Sequence, residues 1–194
     1  MRRRTFDALM VMAGLVAAAI LVTAGGLLVF AHSFAHNQVH DQLAAQQIFF
    51  PAAGSDALSS AEVGPYLNQY AGQQLTTGAQ AQAYADHFIA VHLNEMAGGQ
   101  TYAQLSAKAQ ANPTDTKLAG QVATMFKGET LRGLLLNAYA FDTMAGIALW
   151  AGIASFIGAA LMLVLSILGF VHLRRTPADV EVMLGARTPA PVEP

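Results

Sequence analysis

Two long apolar runs, residues 8–31 and 144–173, stand near the two ends of the chain and enclose a more polar middle. Neither run contains Asp, Glu, Lys or Arg. About 20 apolar residues suffice to cross a hydrocarbon core of roughly 30 Å, because a helix rises about 1.5 Å per residue. We therefore predict a transmembrane helix for each run.

The arginines indicate which side of a membrane the two ends occupy. Those at positions 2–4 precede the first run, and those at 174 and 175 follow the second. Cytoplasmic flanks are rich in Lys and Arg, so we expect both termini in the cytoplasm. The first run is longer than the roughly 7–15 apolar residues of a signal peptide, which favours an uncleaved anchor over a cleaved leader. The predicted organisation is a cytoplasmic N-terminus (1–7), a first span (8–31), an extracytoplasmic domain (32–143), a second span (144–173) and a disordered cytoplasmic tail (174–194).

The polar middle has helix signals and lacks the alternating β-branched pattern of strands. Thr77 with Gln80, and Thr101 with Gln104, have the spacing of capping boxes at helix starts. The predicted fold class is all-α, with two transmembrane helices flanking an all-helical extracytoplasmic domain. The first helix is expected to continue to about residue 47, and helices follow over 77–96, 101–112 and 114–126. Lys127-Gly128 is expected to separate the last of these from a helix that enters the second span.

The amino-acid composition is unlike that of an ordinary soluble domain and argues against nucleic acid as a partner. Charged residues make up 11% of the chain and hydrophobic residues 54%, whereas charged residues are about 25% of ordinary soluble domains. The middle segment is mildly acidic and the ends are weakly basic, so no basic patch suggests nucleic acid as a partner. The chain has no cysteine. The outer domain is therefore expected to be held together by packing alone.

Histidines are the residues best suited to bind a ligand. His32, His36 and His40 recur every four positions, so they share one helix face. His36 and His40 are close enough to bind one divalent ion, with Asp41 as a further ligand. His92 and Glu95, three apart on the helix 77–96, could complete such a site if the two helices pack together. Copper or zinc would be the occupant, since both accept imidazole; the alternative is that these side chains anchor the helix at the membrane surface.

Other residues indicate packing rather than catalysis. No hydrolase, phosphate-binding or zinc-protease motif is present, and no acidic or basic side chain lies within the spans, so we predict no enzyme and no resident cofactor. Glu129 and Arg132 are expected to form an exposed pair, and Tyr84, Phe88 and Val91 to form a core face. Small residues recur every four positions in both spans, which favours close association with another membrane protein or a second copy. These are Gly14 and Ala18 in the first span and Ala151, Ser155 and Ala159 in the second.

Three strings carry a family resemblance: QAQAYADHFIAVHL from Gln80, GQTY from Gly99 and FKGETLRGLLLNAYAF from Phe126. The chain resembles a family of two-span membrane proteins of high-GC Gram-positive bacteria, the Actinobacteria, which has no assigned activity. The resemblance implies a bacterial plasma membrane and transfers no site residue. The favoured hypothesis is an accessory or assembly protein of a membrane complex. The alternatives are an extracytoplasmic sensing module that passes its signal to a partner, and a membrane-tethered metal-binding protein.

Overall fold

A computed structural model of the protein describes residues 3–175. Within that range the prediction of an all-helical fold is confirmed: there are six α-helices and no strand, and residues 49 and 74 form an isolated β-bridge. The helices are α1 (Arg3–Ala45), α2 (Gly64–Leu67), α3 (Gly78–Tyr84), α4 (Ala90–Ala97), α5 (Tyr102–Ala111) and α6 (Thr116–Arg175). Short 3₁₀ turns occupy Asp56–Leu58 and Asn68–Tyr70, and a π-helical turn, Ala85–Ile89, joins α3 to α4. The predicted disordered tail lies outside the described residues, except for positions 174 and 175, which end α6.

The two long helices contain the two apolar runs. Helix α1 has 43 residues and α6 has 60, and each is long and apolar enough to cross a membrane. Only 11% of the most apolar window of either helix is buried within the protein, unlike the core helix of a globular domain. The described residues divide into two compact units, which we call the helix pair (residues 3–30 and 148–175) and the helical domain (residues 31–147).

Helix α6 continues without a break through Lys127-Gly128, so the helix boundary predicted there is wrong. A Cβ atom on Gly128 would lie 2.5 Å from Cδ2 of Leu93 in α4. Glycine at this position thus lets a buried leucine approach the α6 backbone. Its cost in helix propensity, about 1 kcal/mol relative to alanine, is small beside the packing that it permits.

The core of the helical domain is built around side chains that are almost completely buried. Leu67 and Leu75 come from the segment between α1 and α3, and Leu135 comes from α6. Two backbone hydrogen bonds fold that segment onto itself, from Phe50 N–H to the Gln73 carbonyl and from Leu75 N–H to the Ile48 carbonyl. Burial of each such leucine contributes roughly 1.5–3 kcal/mol.

Residues at every fourth position are buried along α3, the π-helical turn and α4; these are Ala81, Ala85, Ile89, Leu93 and Ala97. Four-residue steps drift by about 40° each in an α-helix, and the wider π-helical turn absorbs part of that drift. The core face predicted at Tyr84, Phe88 and Val91 is therefore displaced, because these side chains are only partly buried at the edge of the core.

In the helix pair, small residues at seven-residue intervals form the contact between α1 and α6. They are Ala18 and Gly25 on α1 and Gly152, Ala159 and Ser166 on α6. A Cβ atom on Gly25 would lie 3.1 Å from the Phe156 ring and 3.2 Å from the Gly152 carbonyl oxygen. The small residues that were predicted to mediate association thus differ in burial. Ala18 and Ala159 are buried within the chain, whereas Ala151 is exposed.

Candidate functional site

Asp142 joins three helices within the helical domain. Its Oδ1 lies 2.7 Å from Nδ1 of His36 on α1, and its Oδ2 accepts a hydrogen bond from the backbone N–H of Gly78 at 3.2 Å. Gly78 is the first residue of α3, where a carboxylate is favoured by the unpaired N–H groups and the helix dipole. A Cβ atom on Gly78 would lie 2.5 Å from Cβ of Asp142, so the close approach requires glycine.

The start of α3 is fixed independently by the predicted capping box. Gln80 N–H donates to Oγ1 of Thr77 at 3.2 Å, and Thr77 N–H donates to Oε1 of Gln80 at 3.1 Å. The second predicted box, at Thr101 and Gln104, is also present at the start of α5. The capping box thus provides acceptors for the N–H groups of Thr77 and Gln80 at the start of α3, and Asp142 provides the acceptor for the N–H of Gly78.

His32 and His36 form a pair of stacked rings beside Asp142. Their ring centroids are 5.6 Å apart and the ring planes differ by 19°. Nδ1 of His32 lies 2.9 Å from the carbonyl oxygen of Ala145. Because a carbonyl only accepts, this bond requires a proton on Nδ1, which leaves Nε2 of the neutral ring as the acceptor.

The structure does not bring the predicted metal ligands together as one group. His36 contacts Asp142, whereas Nδ1 of His40 lies 3.2 Å from Oδ1 of Asp41, and Nδ1 of His92 lies 2.7 Å from the carbonyl oxygen of Phe88. Among residues 3–175, no group of three or more His, Asp or Glu side chains is placed to hold an ion. A copper or zinc site at His36 and His40, with Asp41, His92 or Glu95, stays a prediction.

Asp142 is the residue of this junction whose role the sequence did not reveal. It is 106 positions from His36 and 64 from Gly78, and no local pattern links residues so far apart. Its position just before the second apolar run is typical of an interfacial polar group, which is how a span is ordinarily positioned. One signal could have indicated this role: a carboxylate at the edge of an apolar segment needs a hydrogen-bond donor from another part of the chain.

A second polar cluster connects α6 to the π-helical turn. Nη2 of Arg132 donates to Oδ1 of Asp86 at 3.1 Å, and its Nη1 donates to Oε2 of Glu129 at 3.4 Å. The Glu129 to Arg132 pair was predicted, and Asp86 is the additional partner. The next residue of the turn, His87, stacks on Tyr66 with 3.5 Å between ring centroids. These groups are about one-third exposed, so the ion pairs serve mainly to orient α6.

An exposed apolar stripe follows the outer face of α6 in the helical domain. It consists of Phe126, Leu134 and Phe141, whose side chains are 57%, 58% and 55% exposed. Their spacing places them within about 80° of one another around the helix. Tyr102 of α5 adjoins the first of them, with 5.9 Å between ring centroids. We call this surface the outer stripe.

Residues 3–175 thus form an all-helical structure with two helices suited to span a membrane, a partly exposed polar junction at Asp142 and an exposed outer stripe. Comparison of the chain with protein-family models, with curated proteins and with solved structures gives no match. The functional argument therefore rests on the geometry of the residues themselves.

Proposed function

We propose that the protein is an integral membrane accessory or assembly protein whose helical domain docks on another membrane protein. The outer stripe is the observation that supports this proposal. Its three large apolar side chains are exposed at intervals of eight and seven residues along one helix face, although the same helix buries Met125 and Leu135 in the core. A row of apolar anchors on one helix face suits docking into a groove of another protein.

Most of the outer stripe lies too far from the second apolar run to be covered by lipid tails. Leu134 precedes Met144 by about 15 Å of helix, and Phe126 precedes it by about 27 Å. Phe141 is close enough to suit the headgroup region, where aromatic residues are common. A protein partner is therefore the better match for Leu134 and Phe126.

The outer stripe is held in a fixed orientation. Arg132 binds Asp86, Asp142 binds His36 and Gly78, and Leu93 packs over Gly128, so three separate contacts set the rotation of α6 about its axis. A preorganised surface loses less conformational freedom on binding than a mobile one. This favours a stable docking role over a transient one.

We propose the following topology for this function. The chain crosses a bacterial plasma membrane twice, both termini lie in the cytoplasm, and the helical domain lies outside. The arginines before the first run and after the second support it. The sequence resemblance to a two-span actinobacterial family points the same way. A sensing module that signals through a partner has the same topology and would use the same stripe.

Site-specific photo-crosslinking in intact cells tests the docking proposal. A photoreactive residue at Leu134 is expected to capture one defined membrane protein, whereas the same residue at the exposed Lys108 of α5 is expected to capture none. Leu134→Asp is expected to reduce co-purification of that partner about tenfold, since a buried unpaired carboxylate opposes binding. The matched control Gln110→Asp, also on α5, should leave co-purification unchanged. Equal capture from positions 134 and 108 would refute the proposal.

A second candidate, metal binding, is favoured by one specific feature of the histidines. Metal-bound histidines usually donate their other ring N–H to a carboxylate or a carbonyl. Nδ1 of His36 and of His32 make these two contacts, to Asp142 and to the Ala145 carbonyl. A protein of this kind would hold divalent copper or zinc at the outer membrane surface.

A further inference from the structure

The outer stripe is one side of a wider exposed face of α6 in the helical domain. Asn137 lies at the middle of that face and is itself exposed. At about 100° of rotation per residue, Leu134 and Phe141 lie roughly 60° and 40° to one side of Asn137. Gly133 and Ala140, which are also exposed, lie roughly 40° and 60° to the other side. The face therefore has a large apolar flank and a small flank at nearly the same two heights along the helix.

The small flank is not filled by the protein itself. A Cβ atom on Gly133 would meet no atom within 4 Å. In contrast, a Cβ atom on Gly128, which lies on the core side of the same helix, would overlap the side chain of Leu93. The glycine at position 133 therefore leaves open space on the outer face, into which a side chain of another molecule fits.

A twofold axis parallel to α6 would bring the unlike flanks of two copies together. In such a pair, a residue on one side of the central line in one copy meets a residue on the opposite side in the other. Leu134 of one copy would lie against Gly133 of the second copy, and Phe141 against Ala140. The members of each pair differ in height by only about 1.5 Å. Large side chains would thus enter the spaces beside small ones, as knobs enter holes in a parallel coiled coil.

The charged residues beside the face are complementary in the same arrangement. Lys127 lies roughly 80° from Asn137 on the side of the large flank, and Glu129 roughly 80° from it on the side of the small flank. The twofold axis would place Lys127 of one copy near Glu129 of the other. Lys127 is exposed, and the Glu129 side chain is 40% exposed although it contacts Arg132. Opposite charges beside a helix–helix seam favour one partner and one orientation.

We propose that this face is a parallel homodimer interface and that the protein bound by the outer stripe is a second copy of this chain. Insertion of both copies into the membrane in one orientation imposes the parallel arrangement. Asn137 would meet its own counterpart at the axis, where each side-chain amide donates to the carbonyl oxygen of the other. A single asparagine in such a seam specifies the register and the two-helix state. The proposal rests on the docking function proposed above and identifies its partner.

Disulfide formation in intact cells tests the arrangement, because the chain has no cysteine of its own. A disulfide requires two Cα atoms within about 7 Å of each other. Thr130→Cys and Asn137→Cys, near the proposed axis, are each expected to convert most of the protein into a covalent dimer. Lys127→Cys is the matched control on the same exposed face, since the axis would hold the two copies of this residue apart. Equal dimer yields at positions 127 and 137, or no dimer at 137, would overturn the proposal.

An exchange of two neighbouring side chains tests the fit of the large and small flanks. In the Asn137→Cys background, Ala140→Phe is expected to lower the dimer yield about fivefold, because it places a second ring against Phe141 of the other copy. The double change Ala140→Phe, Phe141→Ala should restore the yield, since large and small residues are again opposite each other. Both positions are exposed, and circular dichroism verifies that each variant remains folded. A folded double variant whose yield stays low would contradict the proposed contact.

Photo-crosslinking from Leu134 separates this proposal from the docking function on which it rests. Capture of a second copy supports both. Capture of a different membrane protein alone supports the docking function and overturns the homodimer. Capture of no protein overturns both.

Discussion

Nδ1 of His36 lies 2.7 Å from Oδ1 of Asp142, and this contact joins α1 to α6 across 106 positions of the sequence. The same carboxylate accepts from the N–H of Gly78, so one side chain hydrogen-bonds both α1 and α3 to α6. The Asp142 junction therefore adds polar contacts between three helices that also share the apolar core.

The first prediction concerns this junction. Asp142→Ala is expected to lower the free energy of unfolding by about 1–2 kcal/mol, because the His36 ring and the Gly78 N–H lose their acceptor. Thermal unfolding of the full chain in detergent, followed by circular dichroism, measures the effect. Asp41→Ala is the matched control, since this carboxylate is 79% exposed. A similar loss of stability in the two variants would show that the junction contributes nothing special.

Replacing each of two glycines of α6 by alanine is expected to change the free energy of unfolding in opposite directions. Gly128→Ala should destabilise the protein by about 1–3 kcal/mol, because the added methyl group overlaps the side chain of Leu93. Gly120→Ala meets no atom within 4 Å, so it should gain up to about 1 kcal/mol from helix propensity. Denaturant unfolding of both variants tests the pair. Stabilisation by Gly128→Ala would mean that α4 does not pack on α6 at this position.

Burial raises the pKa of Tyr84 above its ordinary value, which is about 10. The unfolded chain then loses this proton at a lower pH than the folded one. The contribution of Tyr84 to stability is thus complete below about pH 10 and is lost as the pH rises from there towards the folded-state pKa. Tyr84→Phe should reduce the fall in melting temperature between pH 9 and 11. Tyr102→Phe, at a more exposed phenol, is the control, and an equal effect of both changes would contradict the assignment.

Thiol labelling tests the proposed topology in a chain that has no cysteine of its own. Gln110→Cys should react with a membrane-impermeant reagent on intact cells, because it lies in the helical domain. Ala178→Cys should react only after the cells are opened. The reverse pattern would place the helical domain in the cytoplasm and would invert the proposed orientation.

Metal content distinguishes the second candidate function from the first. If the histidines hold copper or zinc, the purified untagged protein should retain about one equivalent, and the double variant His36→Ala, His40→Ala should lose it. His87→Ala is a suitable control, because His87 stacks on Tyr66 in another part of the helical domain. Equal metal content in the double variant and the wild type would remove metal binding at these residues.

The features that the sequence predicted correctly depend on neighbours along the chain. A capping box needs only residues three apart, and those at Thr77 and Thr101 are both present. A helix long enough for a membrane needs only an uninterrupted apolar run, and both runs lie within single helices. Such signals are readable because all the interacting atoms belong to one local segment.

The features that it missed depend on residues far apart in sequence. Lys127-Gly128 has the local character of a helix end, but Leu93 occupies the space beside Gly128, and only the packed structure reveals this reason for a glycine. The displaced core face has the same origin, because whether the helix buries Ala81 and Ala85 or instead Tyr84 depends on what packs against it. The pairing of His36 with Asp142 likewise has no local signature.

The seven-residue spacing of Ala18 and Gly25 on α1, and of Gly152, Ala159 and Ser166 on α6, makes the helix pair sensitive to length rather than to composition. A single inserted residue after Ala18 would rotate the following part of α1 by about 100° and turn Gly25 away from Gly152. An insertion of seven residues would restore the facing and lengthen the helix by about 10 Å. Natural variants of this protein should therefore keep glycine at positions 25 and 152, where an added Cβ atom would be crowded, and should lack single-residue insertions between the small positions of either helix.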